Sequence, residues 1–443
     1  MNMKRILNLL PSKIHSNLDK LVEAYASLGR FRGAALIAKN KILFRKACGL
    51  ADESSRRPNT PETRFLIGSL TKTFTAIAIM QLAEQGRLSV ENPLSTYLPH
   101  FPNAHRISLR DLLSNTSGVL DYLLLDDFQQ FMTRPHTTAD LIARFADKPL
   151  LFEPRSQFGY SNSNWVLLGA VLETLTELTY DECIRQRVLL PARMTDSGFD
   201  WEMLPLALRA TGYTEGENGV VPSLTSHSSV LHAAGAMYST VDDLLRFDSA
   251  LNNNSLLHRD TLMSMWQAAP TGYGYGWEVH QLHGRRMVAH SGGLYGFICN
   301  FARFVDADGY SQTTIILLSN DNSAAVPEMT ETLAAVAFGL PYEIPSSRKF
   351  VKVNPKVLNA YVGTFKQTVM GRTFVIEFLI EDDQLVMDMR GWTKVTLKSI
   401  SETTFYARAK GEVEMKFVLG SSGRADIIEM VWAGVKTQAS RVV

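Results

Sequence analysis

The 443-residue chain has only three cysteines, Cys48, Cys183 and Cys299, far apart and without a Cys-x-x-Cys pair. That spacing implies neither a disulfide framework nor a zinc ribbon. Charge of one sign is equally scarce: 45 Lys and Arg against 44 Asp and Glu leave a formal net charge of +1, with a pI near 7.7. No basic field draws the chain to nucleic acid. No stretch approaches the roughly 18 uninterrupted apolar residues of a membrane span, and repeats and low-complexity tracts are lacking. His280 and His283 are close in sequence, but no carboxylate or cysteine completes a metal-ligand spacing with them, so neither a metal nor an organic cofactor is expected. The amino end carries two basic residues in the manner of a signal peptide, but Asn8 breaks its apolar run and Pro11 stops it. Export is therefore not expected, and a soluble cytoplasmic protein is.

What is present is an ordinary globular composition, 45% hydrophobic and 20% charged. The length allows two or three domains at about 150 residues each. Gly33 to Ala47 reads as two apolar runs meeting at Lys39-Asn40-Lys41, a hairpin. From Ser69 to Gln85 the positions Phe74, Ile77, Ala78 and Leu82 recur at helical spacing, and Gly86 follows as a stop. Ile107 to Asp260 alternates helical stretches such as Trp165 to Leu178 and Thr240 to Leu251 with loops, as a mostly helical insertion. Strand-like runs return at Tyr275 to His280, Arg286 to Ala289, Cys299 to Val305 and Thr313 to Ser319, so one sheet is built from both ends of this region. The Pro- and Ser-containing segment Gly339 to Ser347 reads as a linker. Beyond it short β-prone runs, Phe374 to Ile380, Gln384 to Met389, Lys394 to Ile400, Thr404 to Ala409, Val413 to Leu419 and Ile427 to Trp432, predict a small antiparallel barrel.

Three short segments could carry chemistry. Ser69 and Lys72 stand three apart at the start of the apolar helix, on one face of it. A serine needs a base, and a lysine serves as one only when burial or a neighbouring cation lowers its pKa. The alternative is a capping serine followed by a solvated lysine. Tyr160-Ser161-Asn162 precedes a helix beginning near Asn164; Tyr160 suits a second proton carrier, and Asn162 could hydrogen-bond both Lys72 and a substrate amide. Equally, Tyr160 could pack in the core while Ser161 or Asn162 caps the helix. His290-Ser291-Gly292-Gly293 follows the strand-like Met287-Val288-Ala289, and its glycines would admit a substrate close to the backbone. The N–H groups of Gly293 and Ser69 would then form an oxyanion hole. The alternative there is a half-buried histidine beside a glycine turn.

Taken together, Ser69-Leu70-Thr71-Lys72, Tyr160-Ser161-Asn162 and His290-Ser291-Gly292 resemble the motif set of the serine β-lactamase and penicillin-binding-protein superfamily. The Tyr-x-Asn form is similar to the class C-like branch, which includes D-aminopeptidases, alkaline D-peptidases and β-lactamase-fold esterases. Leu112 to Gly118, Phe152-Glu153-Pro154, Gly235 to Phe247, Tyr275-Gly276-Trp277 and His290 to Phe297 fit the same family, and the resemblance spans roughly residues 15 to 340. It implies an α/β sandwich, an antiparallel sheet flanked by helices with an all-helical subdomain, over residues 1–340. A linker at 341–349 and a C-terminal lipocalin-like antiparallel β-barrel at 350–443 would follow, the latter opened by Tyr361-Val362-Gly363-Thr364-Phe365. Ser69 is implied as the acylated nucleophile, Lys72 and Tyr160 as the proton-transfer pair, Asn162 as a positioning group, and His290, Ser291, Gly292 and Gly293 as a substrate-binding edge.

The implied activity is hydrolysis of a small peptide, amide or ester through an acyl-enzyme, with a D-amino-acid peptidase or amidase placed ahead of a carboxylesterase. Covalent β-lactam binding and a homo-oligomer belong to the same picture. From another class comes a non-catalytic, penicillin-binding or self-assembling scaffold. Three departures from the family pattern stand out. Arg155 and Ala192-Arg193 occupy positions where relatives usually have Gly and Leu-Gly, which bears on local backbone geometry. Asn115 replaces a common His, with an effect expected on loop packing only. His290 replaces lysine, and a neutral imidazole offers a substrate carboxylate less than a charged amine does. That moves the expectation from carboxypeptidase or β-lactamase towards esters, amides or peptides whose free amine is recognised elsewhere.

Overall fold

A computed structural model describes residues 11–216, 219–267, 271–369, 372–389, 394–408, 412–432 and 435–442. The segment read against export lies outside them, save Pro11. Six strands, β1 (Gly33–Lys39), β2 (Lys41–Cys48), β3 (Glu278–Leu282), β4 (Arg285–Leu294), β5 (Phe297–Val305) and β6 (Ser311–Ser319), form one antiparallel sheet in the order β2-β1-β6-β5-β4-β3. The chain leaves after β2 and returns at β3, so both ends of the region supply the sheet. The β1–β2 turn is made by Asn40 at φ +58°, a conformation that asparagine tolerates better than most residues.

Alternation along the strands dictates the layers. Ala34, Leu36 and Ala38 of β1 join one core with Ile316 and Leu318 of β6, whereas Ala35 and Ile37 join a second core with Ile315 and Leu317. Successive side chains point to opposite faces, so a sheet apolar at both parities must be covered twice. Six helices do most of this work: α1 (Pro11–Ser27), α2 (Thr71–Glu84), α3 (Asn162–Thr176), α4 (Ser228–Gly235), α5 (Val241–Asn252) and α6 (Val326–Phe338). Leu18, Leu21, Val22 and Tyr25 of α1 and Met329, Leu333 and Val336 of α6 cover one face. The other face packs on the insertion, where α2 is buried from Thr71 through Met80 and again at Leu82. A helix with no polar face belongs inside a protein. Its hydroxyls are satisfied internally: Thr73 Oγ1 donates to Leu70 O at 2.9 Å, and Thr75 Oγ1 to Ala233 O at 2.9 Å.

Residues 340–354 carry no helix or strand. After them nine short antiparallel strands run from Gly363 to Arg441, and the outermost two, Val395–Thr396 and Lys398–Ser399, flank Leu397, so the sheet nearly closes on itself. Its interior is aromatic, with Tyr361, Phe365, Phe378, Phe405 and Phe417 in mutual contact. The fold is that expected, a β-lactamase-like sandwich followed by a barrel.

Four local readings need correction. β3 begins at Glu278, not Tyr275, because Gly276 turns at φ +74° with its backbone pressed on Ala76 and Trp165. β4 does not end at Ala289 but continues through His290 and the glycines to Leu294, paired to β5 throughout. α3 starts at Asn162, two residues early. No strand was read at Val435–Arg441, whose few apolar residues hide it; pairing on both sides overrides weak propensity.

Arg155 and Arg193, the two departures where glycine is usual, both sit in the left-handed region, at φ +70° and +58°. A side chain there is strained by about 1 kcal/mol, which glycine relieves at some entropic cost in the unfolded chain. Arg193→Gly is expected to raise the unfolding free energy by about 0.5 kcal/mol in urea titrations, and a loss of stability would contradict this origin of the strain.

Candidate active site

Ser69 lies in a single 3-10 turn, Gly68–Leu70, that runs directly into α2. The N-terminal end of a helix favours developing negative charge. One turn on, Lys72 is fully buried, and its Nζ lies 3.0 Å from Ser69 Oγ, 2.8 Å from Asn162 Oδ1 and 2.7 Å from the Ala234 carbonyl of α4. The last two oxygens can only accept. A neutral Lys72 satisfies them with its two N–H groups and turns its lone pair to Ser69. A charged Lys72 spends its third N–H on the same hydroxyl. The arrangement is thus satisfied in both protonation states, as a proton shuttle requires.

Asn162 opens α3, and its amide is oriented from behind. Its Nδ2 donates to the buried Asp121 carboxylate at 3.0 and 3.3 Å. A carboxylate accepts only, so Oδ1 is the atom left to Lys72. Asn115, at φ +56°, accepts from Ser161 N at 3.2 Å and from Asn164 Nδ2 at 3.1 Å. It therefore does more than pack a loop: it ties down the Tyr160-Ser161-Asn162 segment. The Tyr160 ring centre is 5.1 Å from Lys72 Nζ. Burial pushes this phenol above its ordinary pKa, Ser69 counteracting and Glu278 adding.

The third segment is part of β4. Pairing with β3 ends at Ala289 opposite Glu278, so from His290 to Leu294 only β5 is beside it. The Ile67-Gly68 backbone lies directly on Gly292, where a Cβ would fall 1.9 Å from Ile67 O. A Cβ on Gly68 would likewise meet Gly293 N at 3.1 Å. The nucleophile's turn and the glycine edge are thus in backbone contact, whereas a Cβ on Gly293 would meet open space.

His290 is buried, with Nε2 3.0 Å from the Tyr273 hydroxyl and Nδ1 2.6 Å from Ser291 O. Tyr273 meets Tyr160 edge-on at 6.0 Å between ring centres. Burial pushes the His290 pKa below its ordinary value, with Lys72 adding and Glu278 opposing. The imidazole is therefore neutral at neutral pH. Ser291 Oγ donates to Glu278 Oε1 at 3.1 Å. Burial would raise the Glu278 pKa, but His280, 3.7 Å away, and His290 in their protonated forms outweigh it together with the Ser291 hydroxyl, so the carboxyl stays ionised.

Beside this edge a cavity of about 460 Å³ is lined by Leu66, Trp201, Leu206, Leu224, Leu294 and Phe297, among others. A second, of about 410 Å³, lies around Glu173, Tyr180 and His232, and neither cavity is lined by an expected site residue, the first coming nearest at Leu294. All eight of those residues, Ser69, Lys72, Tyr160, Asn162, His290, Ser291, Gly292 and Gly293, fall at one place. Sequence reasoning missed Asp121, Tyr273, Glu278 and the Ala234 carbonyl. An acid inside the apolar run Val119-Leu120-Asp121-Tyr122 was a usable signal; the facing of Glu278 onto Ser291 depends on strand register and gave none. Among the described residues no group of three His, Cys, Asp or Glu could hold a metal ion, and no helix is long and apolar enough to cross a membrane.

A sandwich of this topology with a buried lysine against a serine at a helix start defines a β-lactamase-fold serine hydrolase. The sequence model of the Beta-lactamase family matches residues 18–338, and the chain belongs to that family. It is 27% identical over 439 residues to Penicillin-binding protein 4* of Bacillus subtilis (strain 168), covering 93% of this chain and 95% of the relative. The octameric penicillin-binding protein homologue of Pyrococcus abyssi superposes with a TM-score of 0.66 at 21% identity, over 96% of this chain and 99% of that one. D-amino acid amidase of Ochrobactrum anthropi SV3, in complex with D-phenylalanine, gives 0.63 at 21% identity, over 72% and 99%.

The buried His290 makes stability pH-dependent. Below about 6.5, the ordinary histidine value, the unfolded chain binds a proton that the folded site resists, so stability falls as pH drops. Glu278, held low, adds its own loss only further down, below its ordinary 4.5. His280, raised by Glu278, gains stability over the same range, so the His290 contribution is read as a difference: between pH 7 and 5, His290→Gln is expected to remove a loss of up to about 1.4 kcal/mol per pH unit. Equal slopes in urea titrations at each pH would contradict the assignment.

Proposed function

We propose that this serine hydrolase cleaves amide bonds of D-amino-acid amides or short D-peptides that bear a free amine. The observation that carries the chemistry is the Lys72 contact: a buried amine held 3.0 Å from Ser69 Oγ that also donates to the acceptor-only oxygens of Asn162 and Ala234. Lys72 takes the Ser69 proton as Oγ attacks the carbonyl, and the N–H groups of Ser69 and Gly293 stabilise the oxyanion. The proton passes through Tyr160 to the leaving nitrogen, the C–N bond breaks and an ester to Ser69 remains. A water deprotonated by the same pair then releases the acid and restores Ser69. Asn162, oriented by Asp121, holds Lys72 and the substrate amide.

The substrate class follows from charge. The third-motif hydroxyl, Ser291, is occupied by the ionised Glu278, and His290 beside it is neutral. A substrate carboxylate is repelled here and an ammonium is attracted. Penicillins, which carry a carboxylate, are expected to acylate Ser69 slowly. The apolar cavity beside Leu294 suits an aromatic or branched side chain, in keeping with the D-phenylalanine named for the amidase relative. A homo-oligomer belongs to this reading, supported by the octameric homologue.

The test compares D-phenylalaninamide, its L enantiomer, its N-acetyl derivative and a p-nitrophenyl ester at equal enzyme. The expected order puts D-phenylalaninamide first, with N-acetylation and Glu278→Gln each raising KM about tenfold, the loss of roughly 1.4 kcal/mol of ion pairing. Turnover of the ester alone would replace this reading by a carboxylesterase. No turnover together with oligomers that survive Ser69→Ala would replace it by a scaffold.

A further inference from the structure

A hairpin of the barrel carrying opposite charges grips the hydrolase part. Arg408 closes the strand Thr404–Arg408 and is in register with Glu412, which opens Glu412–Leu419. Glu412 receives a fork from Arg30, with Nε at 2.5 Å and Nη2 at 2.6 Å, and both side chains are about nine-tenths buried. Arg408 reaches the other way: Nη2 donates to Asp321 Oδ2 at 3.2 Å, and Nε lies 3.4 Å from Ser323 O and 3.6 Å from Glu215 Oε2. Lys398 of the barrel also meets Glu215, at 3.3 Å.

These contacts continue to the catalytic edge without a gap. Asp321 lies in the loop after β6, and Tyr213 is threaded beside it, Tyr213 N donating to Asn320 O at 2.9 Å and Asn322 N to Tyr213 O at 3.1 Å. Tyr213 opens the hairpin that carries Glu215, so Arg408 holds both sides of this junction. The preceding Gly212 meets the turn of the β4–β5 hairpin backbone to backbone: a Cβ on Gly296 would fall 2.5 Å from Gly212 Cα. Gly293 lies two residues before that turn, paired with Ile298 of β5. Gly212 and Thr211 also line the 460 Å³ cavity.

We propose that Arg408 of the barrel is a positioning residue for the site at Ser69: through Asp321, Glu215 and the Tyr213 junction it fixes the Gly293–Phe297 turn and the adjoining cavity wall. The barrel is then a working part of the active site. A pair this enclosed loses more than a surface ion pair when one partner is removed, because the other charge stays buried. The catalytic half of the proposal rests on the reading of Ser69 above; the positioning half does not.

The test combines hydrogen exchange with steady-state kinetics on the full chain. Arg408→Met keeps the aliphatic stem and removes the charge. Arg408→Lys is the conservative variant. Arg348→Met is the control, since Arg348 also grips the barrel hairpin, at Glu412 and Glu414, and among the described residues has no ion pair with Asp321 or Glu215. Arg408→Met is expected to speed amide exchange about tenfold at Gly293 to Phe297 and at Thr211 to Gly216, leaving β1 unchanged. On D-phenylalaninamide it lowers kcat and raises KM together, and Arg408→Lys recovers part of both. Unchanged exchange at Gly293 to Phe297, or the same change in Arg348→Met, would overturn the proposal. Altered exchange without wild-type turnover would uphold the positioning and overturn the hydrolase reading instead.

Discussion

A primary amine buried among two carbonyl oxygens and a hydroxyl is the constraint around which this structure is arranged. Lys72 can stay inside only because two carbonyl oxygens and a hydroxyl surround it. Each partner is delivered by a different element: Ser69 by the turn before α2, Asn162 by the start of α3, Ala234 by α4. The demand for all three fixes how these elements pack, and the apolar surface of α2 supplies the dry surroundings that let the amine act as a base. The same demand explains the buried Asp121, whose carboxylate determines which end of the Asn162 amide faces Lys72.

The second organising feature is the approach of two backbones. Gly292 and Gly68 are glycines because a Cβ at either position would strike the other segment. That contact brings the serine's turn to a strand edge left open where β3 stops. An extended substrate can lie along such an edge and use main-chain hydrogen bonds. Charge then selects among substrates: the Ser291–Glu278 pair and the neutral His290 give this edge a negative bias, opposite to that of an edge carrying a lysine.

The sequence made legible what is local or carried by short motifs. Ser69 and Lys72 could be placed on one helix face from their three-residue spacing, and both ends of the sheet could be read from apolar runs bounded by turns. Tyr160, Asn162 and His290 became legible only as a set, since each alone reads better as a cap or a core residue. What escaped depends on register and on distance along the chain. Glu278 faces Ser291 because β3 pairs with β4 in one register. Asp121 meets Asn162 across 41 residues, and Arg408 meets Asp321 across 87. Arg155 and Arg193 were flagged by their difference from glycine, and their left-handed backbone supplies the reason. The polar strand Val435–Arg441 stayed hidden because its pairing, not its composition, makes it a strand.

The central claim is that Ser69 is activated by its surroundings and forms a covalent acyl intermediate. Intact mass after exposure to a fluorophosphonate measures this directly, on the wild type and on Ser69→Ala. The account predicts one adduct per chain on the wild type and none on the variant. A folded wild type that takes no adduct, or a Ser69→Ala chain that still takes one, would contradict it.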